Sequence, residues 1–225
     1  VVCHYGGRTS LSTNTTNKLY VTWFDGGGTT GWADFVVDFR AFSRPENYVQ
    51  QHLYHWDCGE FTGTDHEIYG AAVRHIGHKL AFFGDNASYL QYIVGGEDFD
   101  LVQTVGSKQN VLSPVRFNAV MAWECHKRGI TYRYQNRALR RQITPDRLKL
   151  FGFAPPPWIA KGRRWTTSGV GKDAFAAMQH GVTFLRLLKE QSRGKPWKLM
   201  GGDRFNDRWD CACSRRRKCD LVHPH

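Results

Sequence analysis

Residues 19–39 read LYVTWFDGGGTTGWADFVVDF, and the rest of the chain is organised around them. Residues 19–24 crowd Leu, Tyr, Val, Trp and Phe into one short run, which is the composition of a buried strand. Asp25 stands at its tip, GGGTTG follows, and Trp32, Ala33, Phe35, Val36, Val37 and Phe39 make a second strand-like run. The turn glycines tolerate a tight reversal and leave space beside the backbone. The stretch therefore predicts a hairpin that holds one carboxylate at its end. An ordinary glycine-rich hairpin with a solvated Asp fits these residues equally well, and the later chain decides between the two.

Working outward, residues 52–58 (HLYHWDC) are expected to add a third strand. Thr64-Asp65-His66-Glu67 has the pattern of a capping box, in which Thr and Glu each satisfy the other's backbone N–H. The helix it opens should run to about Leu80 and bury Ile68, Ala71, Ala72, Ile76 and Leu80. His75 and His78 lie three apart on it with no third ligand at suitable spacing, so they read as solvated or phosphate-facing. Residues 89–95 (YLQYIVG) read as a strand closed by Gly96, with Glu97 and Asp98 exposed just beyond. Ser113-Pro114 pairs a cap with a first-turn proline, and the helix it starts should stop at Gly129. Val115, Ala119, Ala122 and Trp123 are its expected inward face. Residues 130–135 alternate as a strand, and Thr144-Pro145 begins a short helix. The last long helix spans about 171–190, with Asp173 in its first turn and His180 seven positions on. They share a face but lie roughly 10 Å apart along the axis, so they cannot easily hold the same ion.

A chain of 225 residues with 14% aromatics can bury a full core and is not disordered. The expected layout is a mobile leader at 1–18, one domain at 19–190 and a basic tail at 191–225. A formal charge of +11 favours a polyanionic partner. No run of 18 apolar residues is present to span a membrane, and the first residues lack the apolar core of a secretory signal. Six irregularly spaced cysteines point to a reducing cytoplasm rather than a disulfide framework. Arg137, Arg140 and Arg141, then Lys161, Arg163 and Arg164 between Trp158 and Trp165, and Lys172, are the candidate DNA-binding residues. Cations interleaved with aromatics suit a nucleic-acid backbone with bases nearby. In the tail, Cys211, Cys213, Cys219 and His223 are candidate zinc ligands, although their spacing matches no standard pattern.

Asp25, Glu97 and Asp173 stand at parallel places, two at strand ends and one at a helix start. Clustered carboxylates repel and are tolerated mainly where they hold cations, and oxygen ligands favour Mg²⁺ or Mn²⁺. Two such ions ready an attacking water and stabilise the leaving oxygen of a phosphodiester. A basic protein with such a cluster is a candidate nuclease.

DGGGTTGWA (25–33), Glu97 within VGGEDF, and KDAFAAMQH (172–180) resemble the three motifs of RuvC-type Holliday junction resolvases, most closely the compact bacteriophage-encoded branch. The resemblance covers roughly residues 19–190. It implies an α/β ribonuclease H-like fold, a central mixed sheet flanked by helices, and metal-dependent nicking of branched DNA by a homodimer. It also implies that Asp25, Glu97 and Asp173 are catalytic and bind Mg²⁺, with Mn²⁺ able to substitute. The chain departs from the family at Gly26, where proline is common, and at Val170, where a further acid is common. That leaves a fourth ligand to a water, Asp98 or a backbone oxygen. Two other classes remain: an inactive structure-specific DNA-binding protein, and an actin-like or sugar-kinase-type ATPase. The latter needs a second phosphate loop, for which Asp203 behind two glycines is a poor match.

Overall fold

Strands β1 (Lys18–Asp25) and β2 (Thr30–Asp38) form the expected hairpin, paired antiparallel from Lys18 opposite Asp38 to Asp25 opposite Gly31. The computed structural model describes residues 18–38, 53–84, 89–98, 108–141, 143–150, 153, 159 and 171–192. Lys161, Arg163, Arg164, Val170, Asp203, the leader up to residue 17, and Cys211, Cys213, Cys219 and His223 lie outside the described residues. β3 (Leu53–Phe61) pairs antiparallel with β2, β4 (Tyr89–Asp98) parallel with β1, and β5 (Thr131–Asn136) parallel with β4. The sheet order is β3-β2-β1-β4-β5. The helices are α1 (Asp65–Gly84), α2 (Lys108–Lys127), α3 (Arg137–Arg140), α4 (Pro145–Leu150) and α5 (Lys172–Ser192). This is the expected α/β arrangement, a central mixed sheet flanked by helices.

Both faces of the sheet are covered, which is why β1 is apolar almost throughout. Leu19, Val21 and Trp23 join Ala33, Phe35, Val37 and Ile93 beneath α5, whose Ala174, Ala177 and Met178 face them. Phe24, Trp32 and Val94 turn the other way, onto Ile68, Ala72 and Ile76 of α1 and Phe117, Met121 and Cys125 of α2. The period of two along β1 thus assigns Asp25 to the α5 side. On the opposite side a buried polar cluster pins α1 to the sheet. Asp34 accepts from Thr22 Oγ1 at 2.6 Å and meets His75 Nε2 at 2.9 Å and Lys79 Nζ at 3.0 Å. Burial alone would raise the Asp34 carboxyl, but His75, Lys79 and Thr22 outweigh it and hold the group well below the carboxylate range.

Several expectations need correction. His75 is not solvated or phosphate-facing: it binds Asp34 and packs against Trp32 at 4.5 Å between ring centroids. The second long helix begins at Lys108 and carries Pro114 inside it rather than starting there. Its buried face is Phe117, Met121 and Cys125, while Trp123 is 61% exposed. The inward choice is set by Phe117, which stacks edge-on against Phe24 at 5.5 Å. Phe117 also fills the space beside Gly26, where an added Cβ would lie 2.8 Å from its ring. β4 does not end at Gly95 but continues through Gly96 to Asp98. Gly95 and Gly96 are there for close packing rather than a turn, since a Cβ would strike the Trp23 ring at 2.3 Å and Tyr132 Oη at 2.3 Å, respectively. β3 runs three residues further than expected, to Phe61. The capping box of α1 is formed, with Glu67 Oε2 accepting from Thr64 N at 2.8 Å. Among the described residues no helix is long and apolar enough to cross a membrane.

Candidate metal centre

Adjacent parallel strands bring the two strand-end acids together. Phe24 of β1 pairs with Gly96 of β4, so Asp25 and Glu97 lie one step further along, side by side beneath α5. His180, on the sheet-facing side of α5, comes down on the same spot. Ligand atoms of Asp25, Glu97 and His180 all lie within 4.8 Å of one another. The imidazole is held by stacking on Trp23, with centroids 6.1 Å apart and planes 14° apart. Its Nδ1 lies 3.1 Å from Gln135 Oε1 and its Nε2 3.1 Å from Glu97 Oε2. The two ring nitrogens are thus held between the Gln135 amide and the Glu97 carboxylate. A metal-ligating histidine is oriented by a hydrogen bond at its other ring nitrogen, and Gln135 stands in reach of Nδ1 for that.

The next turn of chain supplies cations. Because Glu97 pairs with Gln135, α3 starts directly beside it, capped by Asn136, whose side chain accepts from Ala138 N at 2.8 Å. Arg140 Nη1 donates to Asp25 Oδ1 at 3.1 Å and to Glu97 Oε2 at 3.2 Å. Arg137 Nε stands 3.5 Å from Glu97 Oε1. Arg141 and Lys172 are exposed.

Burial pushes the Asp25 carboxyl up to about 7, with Arg140 pulling it down and the neighbouring Glu97 pushing it further up. Burial holds the His180 imidazole down at about 3, against the Asp25 carboxylate, so it is neutral at neutral pH. Asp173, half-buried in the first turn of α5, is raised to about 6 by burial and then by the Asp25 charge. It feels Asp25 but lies outside the tight group of Asp25, Glu97 and His180.

The donor set fits a divalent cation. Two carboxyl groups and an imidazole converge, and Glu97 Oε1 is buried without a hydrogen bond. One nitrogen among the ligands tilts the preference from Mg²⁺ toward Mn²⁺.

Two supporting residues escaped the sequence reading. Gln135 gives no signal in one dimension, since only the β4–β5 pairing brings it to His180. Glu60 repeats the pattern of an acid near a strand end. Its Oε1 accepts from Asp173 N at 2.9 Å and Ala174 N at 3.2 Å, capping α5 from β3. Glu60→Ala should therefore lower stability by about 1–2 kcal/mol in chemical denaturation, with Glu60→Gln losing less because it keeps an acceptor. Equal losses would remove the capping role.

No family model matches the sequence, and no curated protein matches it. Two solved structures of RuvC from Thermus thermophilus are similar. One, in complex with Holliday junction substrate, is 11% identical with a TM-score of 0.43, over 76% of this chain and 97% of that one. The other is 12% identical with a TM-score of 0.44, over the same shares of the two chains.

Proposed function

We propose that the protein is a divalent-metal-dependent endonuclease that nicks branched DNA, in the manner of a Holliday junction resolvase. The observation that carries this reading is the convergence of Asp25 and Glu97, from adjacent parallel strands, with His180 within 4.8 Å. The motif resemblance and the +11 formal charge point the same way. Asp25, Glu97 and His180 would hold the metal, with Asp173 completing the acid set. Bound Mg²⁺ or Mn²⁺ ions supply water activation and stabilise the leaving oxygen as one P–O ester bond gives way to water. Gln135 and Trp23 hold the His180 ring in position, and burial beneath α5 limits competing water. Exposed Arg137, Arg141 and Lys172, with Lys161, Arg163 and Arg164, would hold phosphates around this acidic pocket. A homodimer acting in the cytoplasm, on the plan of the compact phage-encoded enzymes, completes the proposal. The tail cysteines, with His223, keep their zinc proposal independently of this site.

The test is a nicking assay on four-way, three-way, flap and linear DNA with Mg²⁺, Mn²⁺ or EDTA. Metal-dependent cutting that favours branched substrates is expected; no cutting with either ion contradicts the proposal. One observation favours an inactive DNA-binding protein instead: the Arg140 guanidinium already pairs with both carboxylates. Such a protein would bind junctions in the same assay and leave them uncut. For the interface, changing Arg137 and Arg141 together to Ala should weaken junction binding and reduce the slope of log K against log salt by about 0.9 per lost phosphate contact. An unchanged slope would exclude both side chains from phosphate contact.

A further inference from the structure

We propose that Arg140 is the resident counter-ion of the Asp25–Glu97 pair and yields its place to the divalent cation. The inference rests on the metal-site reading above. A single nitrogen, Nη1, bridges one oxygen of each acid at 3.1 and 3.2 Å. This is the position that an ion shared by the two carboxylates has to take. The side chains of Asp25 and Glu97 are 14% and 2% exposed, so water does little to separate their charges. Without a cation, two such neighbours cannot both stay ionised, and the guanidinium supplies that charge when no metal is bound.

The segment that carries Arg140 is suited to exchange. Helix α3 is four residues long and none of them is buried, so the side chain can leave without opening the core. Arg137, one turn earlier, is 61% exposed and stands 3.5 Å from the other oxygen of Glu97, so the acid keeps one cation nearby during the swap. A guanidinium has no lone pair to ligate an ion and repels it, so Arg140 and the metal exclude each other at these oxygens. Arg140 therefore lowers the affinity of the DNA-free protein for metal. A substrate phosphate that attracts the guanidinium relieves the competition and couples metal loading to DNA binding.

The experiment is calorimetric titration of Mn²⁺ into wild type, Arg140→Gln and Arg140→Lys, without DNA and at pH 8.5 so that protons do not compete. Arg140→Gln should bind Mn²⁺ about tenfold more tightly than wild type. Arg140→Lys, which keeps the charge but not the planar fork, should fall between them. Thermal midpoints in EDTA should drop for both variants, and Mn²⁺ should raise them by more than it raises wild type. If Arg140→Gln does not survive purification without metal, Arg140→Lys against wild type carries the comparison. Mn²⁺ binding by wild type with equal or weaker binding by the variants overturns the exchange while leaving the metal site standing. No binding by any of the three overturns the metal-site reading and this inference together.

Discussion

Asp25→Asn should cut metal-dependent nicking by about three orders of magnitude while the protein stays folded and still binds junctions. The substitution keeps the size of the side chain but removes one of the two anionic ligands, so the remaining acid and imidazole hold an ion weakly and off position. The basic residues are untouched, and so is DNA affinity. Stability carries an independent signature. The folded-state pKa of Asp25 is raised to about 7 from its ordinary 3.8, so between those values the folded protein holds a proton that the unfolded chain has released. Metal-free wild type therefore loses stability as pH rises through that window, and the loss is complete above it. Asn has no proton to release, so the variant lacks this slope and should equal or exceed the wild-type thermal midpoint above about pH 7. The gain is limited, because Arg140 loses one of its two carboxylate partners. In the same window Mn²⁺ affinity of wild type should rise with pH and level off, with about one proton released per ion bound. Wild-type nicking by Asp25→Asn would make Asp25 an ordinary hairpin residue. Unfolding of the variant would make it structural.

Gly31→Ala should cost about 3 kcal/mol or more and disable the site without touching a single ligand. Gly31 sits opposite Asp25 in the β1–β2 register. An added Cβ there would lie 1.9 Å from the Asp173 carbonyl oxygen and 2.0 Å from its carbon. The obstruction is backbone, so no side-chain rotation relieves it, and the first turn of α5 has to lift. That displaces Asp173 from its place near Asp25 and separates Asp173 N and Ala174 N from Glu60. Denaturant midpoint and nicking should fall together, while the charge of the site is unchanged. A variant with wild-type stability would mean that α5 does not rest on β2 here.

How much of this was legible in one dimension depends on how far apart the partners lie. The β1–β2 hairpin was readable because Leu19–Phe24 side chains are buried on both faces and Asp25 interrupts them. Glu97 was readable as a strand-end acid, but Gly95-Gly96 reads as a turn until the Trp23 ring is seen lying against it. The helix at Pro114 offers two overlapping apolar stripes. Composition favoured the one with Trp123, whereas Phe24 and Gly26, more than ninety residues earlier, select Phe117. His75 looked solvated because its partner Asp34 is 41 residues away on a strand whose neighbours the sequence does not disclose. His180 was read as too far along the helix from Asp173 to share its ion, so its place beside Asp25 and Glu97 was missed. The carboxylate pair beneath it depends on how α5 crosses the sheet, which periodicity does not encode. The carboxylate partners of Arg140 were hidden for the same reason: only the pairing of β4 with β5 reveals that it points at Asp25 and Glu97.

The central claim is that Asp25, Glu97 and His180 together hold a divalent cation. Its most direct measurement is anomalous diffraction from crystals soaked in Mn²⁺. A peak is expected within about 2.0–2.6 Å of oxygens from both acids and of His180 Nε2, with the Arg140 guanidinium moved away. Saturating Mn²⁺ with no peak there, and Arg140 still bridging the two carboxylates, would contradict it.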